Sequence, residues 1–244
     1  MTQSPLTTSV ILTDNCSSRC GEEITRITPH YMAWYTDGET CAKSFVPAAR
    51  AASANYCIGK DGDIVLNVPE EFRAWTSSSA YNDRKAITIE CANYNDATPD
   101  HMYGELPKKT WDSLVLLCAD ICTRYEFKLN YTGDDNGNLT KHCWYGSTDC
   151  PGPWFTNQFD RLAREVNELL DGKNEDGFMT FIFRPDNAQY LVLYDGGRCI
   201  RIRDQKASDA LQIAHKACTG REIPMLELND NLGMSLINTC GGIS

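Results

Sequence analysis

Hydrophobic positions along this chain fall into short runs of two periods. The run Ile24-Thr25-Arg26-Ile27-Thr28-Pro29-His30 predicts a strand, and so does Lys85 to Ala92, which alternates and is rich in Ile and Thr. Asn55 to Ile58 and Asp63 to Val68 predict two more strands, joined as a hairpin through Gly59-Lys60-Asp61-Gly62. Thr110 to Tyr125 carries Trp111, Leu114, Val115, Cys118, Ile121 and Cys122 at helical spacing, with Thr110 as its expected cap. Thr156 to Leu170 predicts a second amphipathic helix through Phe159, Leu162, Val166, Leu169 and Leu170. A shorter helix is expected from Glu39 to Ala49, broken by Pro47. Residues 1–23 read as polar and turn-rich, and Ser77-Ser78-Ser79, Asn93 to Asp96 and Gly133 to Gly137 as loops.

Strands alternating with helices predict an α/β domain, a mixed central sheet flanked by helices, over residues 1–171. Residues 172–177 are polar and glycine-rich, the composition of a linker. Beyond it, Phe178 to Phe183, Tyr190 to Tyr194 and Cys199 to Arg203 predict strands, with Asp195-Gly196-Gly197 as a turn. A helix from Asp204 to Cys218 closed by Gly220 follows, and Ile223 to Leu228 is a candidate returning strand. Residues 178–244 are therefore expected to form a small α+β module of the ββ(β)α kind. Such a unit is small for independent stability. It is expected to pack on the first domain or to self-associate, as an oligomerising element.

Charge narrows the partners. The chain carries a formal −10, and residues 1–176 hold 16 basic against 26 acidic side chains, while residues 177–244 hold 7 of each. That balance speaks against nucleic acid, which needs clustered Lys and Arg. No apolar stretch is long enough to span a membrane, so no membrane insertion is expected. The N-terminus lacks a basic start and an apolar core, which predicts synthesis in a reducing cytosol. The twelve cysteines are accordingly expected to stay free, with Cys16 and Cys20 the first pair to examine for a bridge.

The candidate chemistry lies in His142-Cys143-Trp144-Tyr145-Gly146-Ser147-Thr148-Asp149-Cys150-Pro151-Gly152. A short loop of this kind can bring an imidazole and a thiolate to one metal ion, and Pro-Gly fixes the backbone just beyond the thiolate. Only four histidines are present, and His30 ends an apolar strand. Two His and one Cys make three ligands, which is what a catalytic zinc takes while keeping a fourth position open. Taken singly, each of these histidines is more often structural. His101, in a polar loop, and His215, in the small module, keep that reading.

The order of these elements resembles a known family. Strand-His30 is followed by Asn55-Tyr56 with Gly59-Lys60-Asp61-Gly62, then Ala74-Trp75, Ile89-Glu90 with Asn93, and His142 to Cys150-Pro151-Gly152. This looks like the zinc-dependent N-acetylmuramoyl-L-alanine amidases of the amidase-2 group, which includes phage endolysins and is similar to the peptidoglycan recognition proteins. The resemblance covers about residues 20–171. It implies Zn2+ held by His30, His142 and Cys150, Glu90 as catalytic acid/base, and Thr148 and Tyr56 beside the metal as donors to an oxyanion. It implies bacterial peptidoglycan as substrate, cut between N-acetylmuramic acid and L-alanine, action on the wall after release from the host cytoplasm through a holin, and a cell-wall-targeting role as an alternative for residues 178–244. Trp75 and Trp144 are candidates for sugar and peptide stacking. The sequence departs from many members at Thr148, where they carry lysine (animal amidase members are similar in using Thr), and at Thr76, where they carry histidine. A non-catalytic peptidoglycan-binding module and a peptidase using Cys150 or Cys143 as nucleophile are the competing readings.

Overall fold

In the computed structural model, residues 2–172, 180–185, 188, 190–195, 198–219, 222–228 and 230–243 are described. The chain divides into two compact units, Met1–Val166 and Asn167–Ser244. Of the expected linker, all but Gly172 lies outside the described residues, as do Gly196 and Gly197 of the expected turn and the helix-closing Gly220.

Up to residue 171 the elements run β1 (Ser9–Val10), β2 (Cys16–Ser18), β3 (Arg26–Tyr31), α1 (Gly38–Ser44), a 3-10 turn (Ala48–Arg50), β4 (Tyr56–Ile58), β5 (Ile64–Leu66), β6 (Phe72–Ala74), α2 (Ala80–Lys85), β7 (Ala86–Cys91), α3 (Lys108–Arg124), a 3-10 turn (His142–Trp144), α4 (Pro153–Thr156) and α5 (Phe159–Asp171), the last of which crosses the boundary between the units. The central sheet is mixed, in the order β1-β5-β4-β7-β3, and β2 and β6 form a separate ribbon. This is the α/β arrangement expected, with β4 and β5 antiparallel as the hairpin signal predicted.

The expected helix Thr156 to Leu170 forms as α5 from Phe159, and Thr156 ends the separate short α4. The Thr110 cap is also corrected. α3 starts earlier, after Pro107, which gives no side-chain cap, and the Thr110 hydroxyl donates instead to the Gly59 carbonyl at 2.8 Å. Ser113 does the same to Gly62 at 2.8 Å. These two bonds seat the β4–β5 turn on α3, which is buried around nearly its whole circumference rather than along one stripe. Gly62 is required there. Its φ is +82°, and a Cβ would lie 2.7 Å from Ser113 Oγ. Cys16 and Cys20 are both free thiols.

The second unit contains β8 (Thr180–Arg184), β9 (Leu191–Asp195), β10 (Arg198–Ile202), α6 (Gln205–Thr219), β11 (Met225–Glu227) and α7 (Asp230–Thr239), with sheet order β10-β9-β8-β11. β11 returns parallel to β8, and α7 goes beyond the expected ββ(β)α plan. Ile182, Leu191, Ile202 and Ile223 form its small core. Among the described residues of the chain, no helix is long and apolar enough to cross a membrane.

Candidate metal centre

Strand register assembles half of the site. β3 and β7 are parallel, with His30 opposite Glu90; Glu90 is in turn opposite Cys57 on β4, and Cys57 opposite Val65 on β5. Side chains in one row share a face of the sheet. His30 and Glu90 therefore stand side by side, while Cys57 and Val65 continue the row beneath α1, packed with Cys41, Ala42 and Phe45.

The second half arrives along the sheet edge. Leu139 bridges Ile27 in parallel, Ile27 N–H donates to Asn138 O at 2.9 Å, and Thr140 N–H donates to Ile27 O at 3.0 Å. Thr28 and Thr140 hydroxyls bond at 2.7 Å. This short extension of the sheet delivers His142 beside His30. Lys141, just before it, holds the turn down: its Nζ donates to Thr156 O at 2.9 Å and lies over the Phe159 ring at 4.6 Å and the Tyr131 ring at 4.9 Å. Cys143 N–H donates to Cys150 O at 3.1 Å, which closes the loop into a clip. The Cys150–Pro151 bond is cis. Gly152 has φ +87°, and a Cβ on it would lie 2.6 Å from the Tyr31 ring, so the clip sits directly against the end of β3.

The three ligand candidates meet. Cys150 Sγ is 3.3 Å from His30 Nδ1, the His30 and His142 ring centroids are 4.9 Å apart, and the three ligand atoms lie within 4.8 Å of one another. A tetrahedral zinc with bonds of about 2.0 Å to N and 2.3 Å to S sets its ligand atoms about 3.5 Å apart, so this set fits the ion. Their electrostatics fit as well. Burial, reinforced by His142, holds the His30 imidazole well below its usual pKa, and burial lowers His142, which favours the neutral imidazole that a metal takes as ligand. Burial and then the Glu90 charge push the Cys150 thiol well up. A divalent cation is the charge that brings such a thiol back down. Without one, a buried and protonated Cys150 is a poor nucleophile, which counts against a thiol peptidase acting through it.

The cluster opens into a cavity of about 940 Å³ that also takes in Glu90, Thr148, Trp75, Thr76, Arg50 and Arg73. Burial pushes the Glu90 carboxyl up to about 8, with the Arg50 charge opposing. The Thr148 hydroxyl accepts the Cys150 N–H at 3.2 Å, leaving its own hydrogen to donate. Thr76 is spent on the fold: it donates to Ser53 O at 2.6 Å and bonds the Thr88 hydroxyl at 2.7 Å. Trp75 reaches the cavity while its indole N–H donates to Ser17 Oγ at 3.0 Å, whereas Trp144 stacks on Tyr131 with centroids 6.2 Å apart and is not part of the lining.

Tyr56 is corrected. It lies in the row of Ile89 and Leu66, one residue out of phase with Glu90, and so on the opposite face of the sheet. Fully buried, its hydroxyl donates to Glu70 Oε1 at 2.6 Å and accepts the Ser4 N–H at 2.7 Å. It is a core residue on the face of the sheet away from the ligand candidates. Sequence reasoning also missed Ser78, whose hydroxyl lies 3.5 Å from His142 Nε2, and buried Asp83, which holds the Ser77 hydroxyl and the Thr76 N–H. The available signal was Ser79, an N-cap that accepts the Asn82 N–H at 3.3 Å at the start of α2.

A family model described as N-acetylmuramoyl-L-alanine amidase matches residues 21–153, a span holding all three ligand candidates and Glu90. The fold is similar to the solution structure of the PlyG catalytic domain (14% identity, TM-score 0.52, 66% of this chain and 93% of that one). It is also similar to the structure of PlyL (13% identity, TM-score 0.50, 66% and 94%). No curated protein matches.

Proposed function

This chain belongs to the N-acetylmuramoyl-L-alanine amidase family, and from that premise we propose that it is a zinc-dependent peptidoglycan hydrolase of the endolysin type. It would cut the amide between the lactyl group of N-acetylmuramic acid and L-alanine of the stem peptide. The observation that carries the reading is the convergence of His30, His142 and Cys150 within 4.8 Å, in one cavity with Glu90.

Zinc held by these three residues supplies Lewis-acid polarisation of the amide carbonyl and a water acidic enough to ionise near pH 7. The remaining work falls to the chain. Glu90 takes the proton of the attacking water and delivers it to the leaving nitrogen, so that the carbon–nitrogen bond breaks to a lactyl carboxylic acid and a free L-alanine amino terminus. Burial raises the Glu90 carboxyl from the ordinary carboxylate range toward neutrality, and the charge of a bound cation beside it would favour the ionised form that takes the proton. Thr148 donates its hydroxyl hydrogen to the carbonyl oxygen as negative charge develops there.

The test is zinc content together with cleavage of purified peptidoglycan. Zinc-loaded protein is expected to release new L-alanine amino termini. Glu90→Gln is expected to keep the metal and lose turnover by about 10²- to 10⁴-fold. Zinc-loaded wild-type protein that releases no such termini is a binding module and not an enzyme. Activity that survives a chelator belongs to a thiol enzyme instead.

A further inference from the structure

The geometry points to Trp34 as the sugar-side platform of the cleft, an indole that stacks on an N-acetylhexosamine ring of the glycan strand; this rests on the amidase reading above. Trp34 lines the same cavity as the His30, His142 and Cys150 cluster, and the residue is 44% exposed. Among the described residues the other four tryptophans are occupied. Trp75 and Trp111 donate to Ser17 and Glu165, Trp144 stacks on Tyr131, and Trp154 meets Trp111 edge-on. Trp34 has no ring or side-chain partner of this kind among them.

Its backbone is nonetheless fixed. Ala33 takes a left-handed φ of 53°, which turns the chain sharply out of β3. Trp34 N–H then donates to Asn93 Oδ1, and Asn93 N–H donates to Trp34 O, both at 3.2 Å. Asn93 is fully buried, and its side-chain Nδ2 donates to Tyr94 O at 2.9 Å. Tyr94 is held between Tyr35 and His101, with centroids at 5.0 and 3.7 Å. Asn93 thus ties Trp34 to the strand that carries Glu90. An exposed aromatic face on a rigid backbone beside a catalytic cluster is a preorganised stacking surface.

Substrate chemistry selects its occupant. The scissile amide joins a sugar's lactyl arm to a peptide, so a hexosamine ring lies beside the cluster on one side and the peptide on the other. The ring is neutral and offers an apolar face, which suits an indole. The stem peptide carries carboxylates, which suit Arg50 and Arg73 in the same cavity. Those arginines come from segments around the start of β4, where the Asn55 amide donates to Phe72 O at 3.3 Å. Trp34 instead follows the end of β3, which runs parallel to β4 in the sheet.

The experiment uses full-length zinc-loaded Glu90→Gln protein and dye-labelled glycan strands stripped of their peptides. Binding is read by anisotropy, and by tryptophan fluorescence, which reports on the first unit alone because no tryptophan follows Trp154. Saturable binding that quenches tryptophan, weakened about tenfold in Trp34→Ala, supports the assignment. Trp34→Phe, which keeps a ring, should bind well, and Trp34→Leu should not; this pair decides the matter if the alanine variant fails to fold. Equal glycan affinity in all variants overturns it. So does quenching by free stem peptide and not by glycan, or a Trp34→Ala effect confined to self-association in sedimentation. Glycan binding is measured without turnover, so a failure of the amidase reading shows up separately, as wild-type protein that leaves peptidoglycan uncut.

Discussion

Removing the Tyr56 hydroxyl should cost stability and spare turnover. That hydroxyl bonds Glu70, which also accepts from Arg124 Nη2 at 2.7 Å and Tyr125 Oη at 2.8 Å. Hydrogen bonds to charged groups are worth about 1.5–3 kcal/mol, so Tyr56→Phe is expected to lose about 2 kcal/mol in urea unfolding with kcat unchanged. A hundredfold fall in kcat at full stability would restore Tyr56 to the catalytic set. Thr148 should behave in the opposite way. Thr148→Val removes the donor to the developing oxyanion and should cost about 10²-fold in kcat, with Thr148→Ser keeping most of the rate; wild-type kcat in the valine variant would remove Thr148 from the mechanism. The contrast shows what single residues disclose in sequence. His30, His142 and Cys150 stand out in the sequence because ligand chemistry admits few residue types, whereas Glu90 is singled out only through the family resemblance. The place of Tyr56 was not legible, because a tyrosine near a motif reads alike on either face of a strand, and only the register decides between them. Trp34 was missed because nothing local distinguishes an exposed tryptophan from a buried one.

At the scale of elements, the contact between the ligand clip and the end of β3 invites a test. Gly152→Ala would place a methyl 2.6 Å from the Tyr31 ring at a φ of +87°. Relieving that clash means moving the clip or Tyr31, at a cost of about 1–3 kcal/mol. The expected readout is zinc lost to a competing chelator at lower concentration than from wild type; unchanged retention would show that the clip holds the metal without Tyr31. The long or strongly periodic elements, β3, β7 and α3, stand near where the hydrophobic spacing put them. β1, β2 and β6 are two or three residues each, too short to show a period, and pair only because distant segments supply partners. α2 is six residues with little apolar content, and it stands on Asp83 and the Ser79 cap more than on any stripe.

For the whole molecule, the net charge and the tryptophans both concentrate in the first part of the chain, and so does the one group of His and Cys side chains among the described residues that could hold a metal. An ion bound to the folded form alone stabilises it by RT ln(1 + [L]/Kd), about 4 kcal/mol at a thousandfold excess over Kd. In a unit of this size each kcal/mol moves the midpoint by about 2–4 °C. EDTA should therefore lower the melting midpoint seen by tryptophan fluorescence by on the order of 10 °C. The second unit has its own four-stranded sheet and its own core of Ile182, Leu191, Ile202 and Ile223. The part of the far-ultraviolet circular dichroism signal that residues 167–244 contribute should accordingly melt at the same temperature with or without chelator. A single transition, seen alike by both probes and moved as a whole by EDTA, would mean that the two units unfold together and that the second draws its stability from the metal-bearing first.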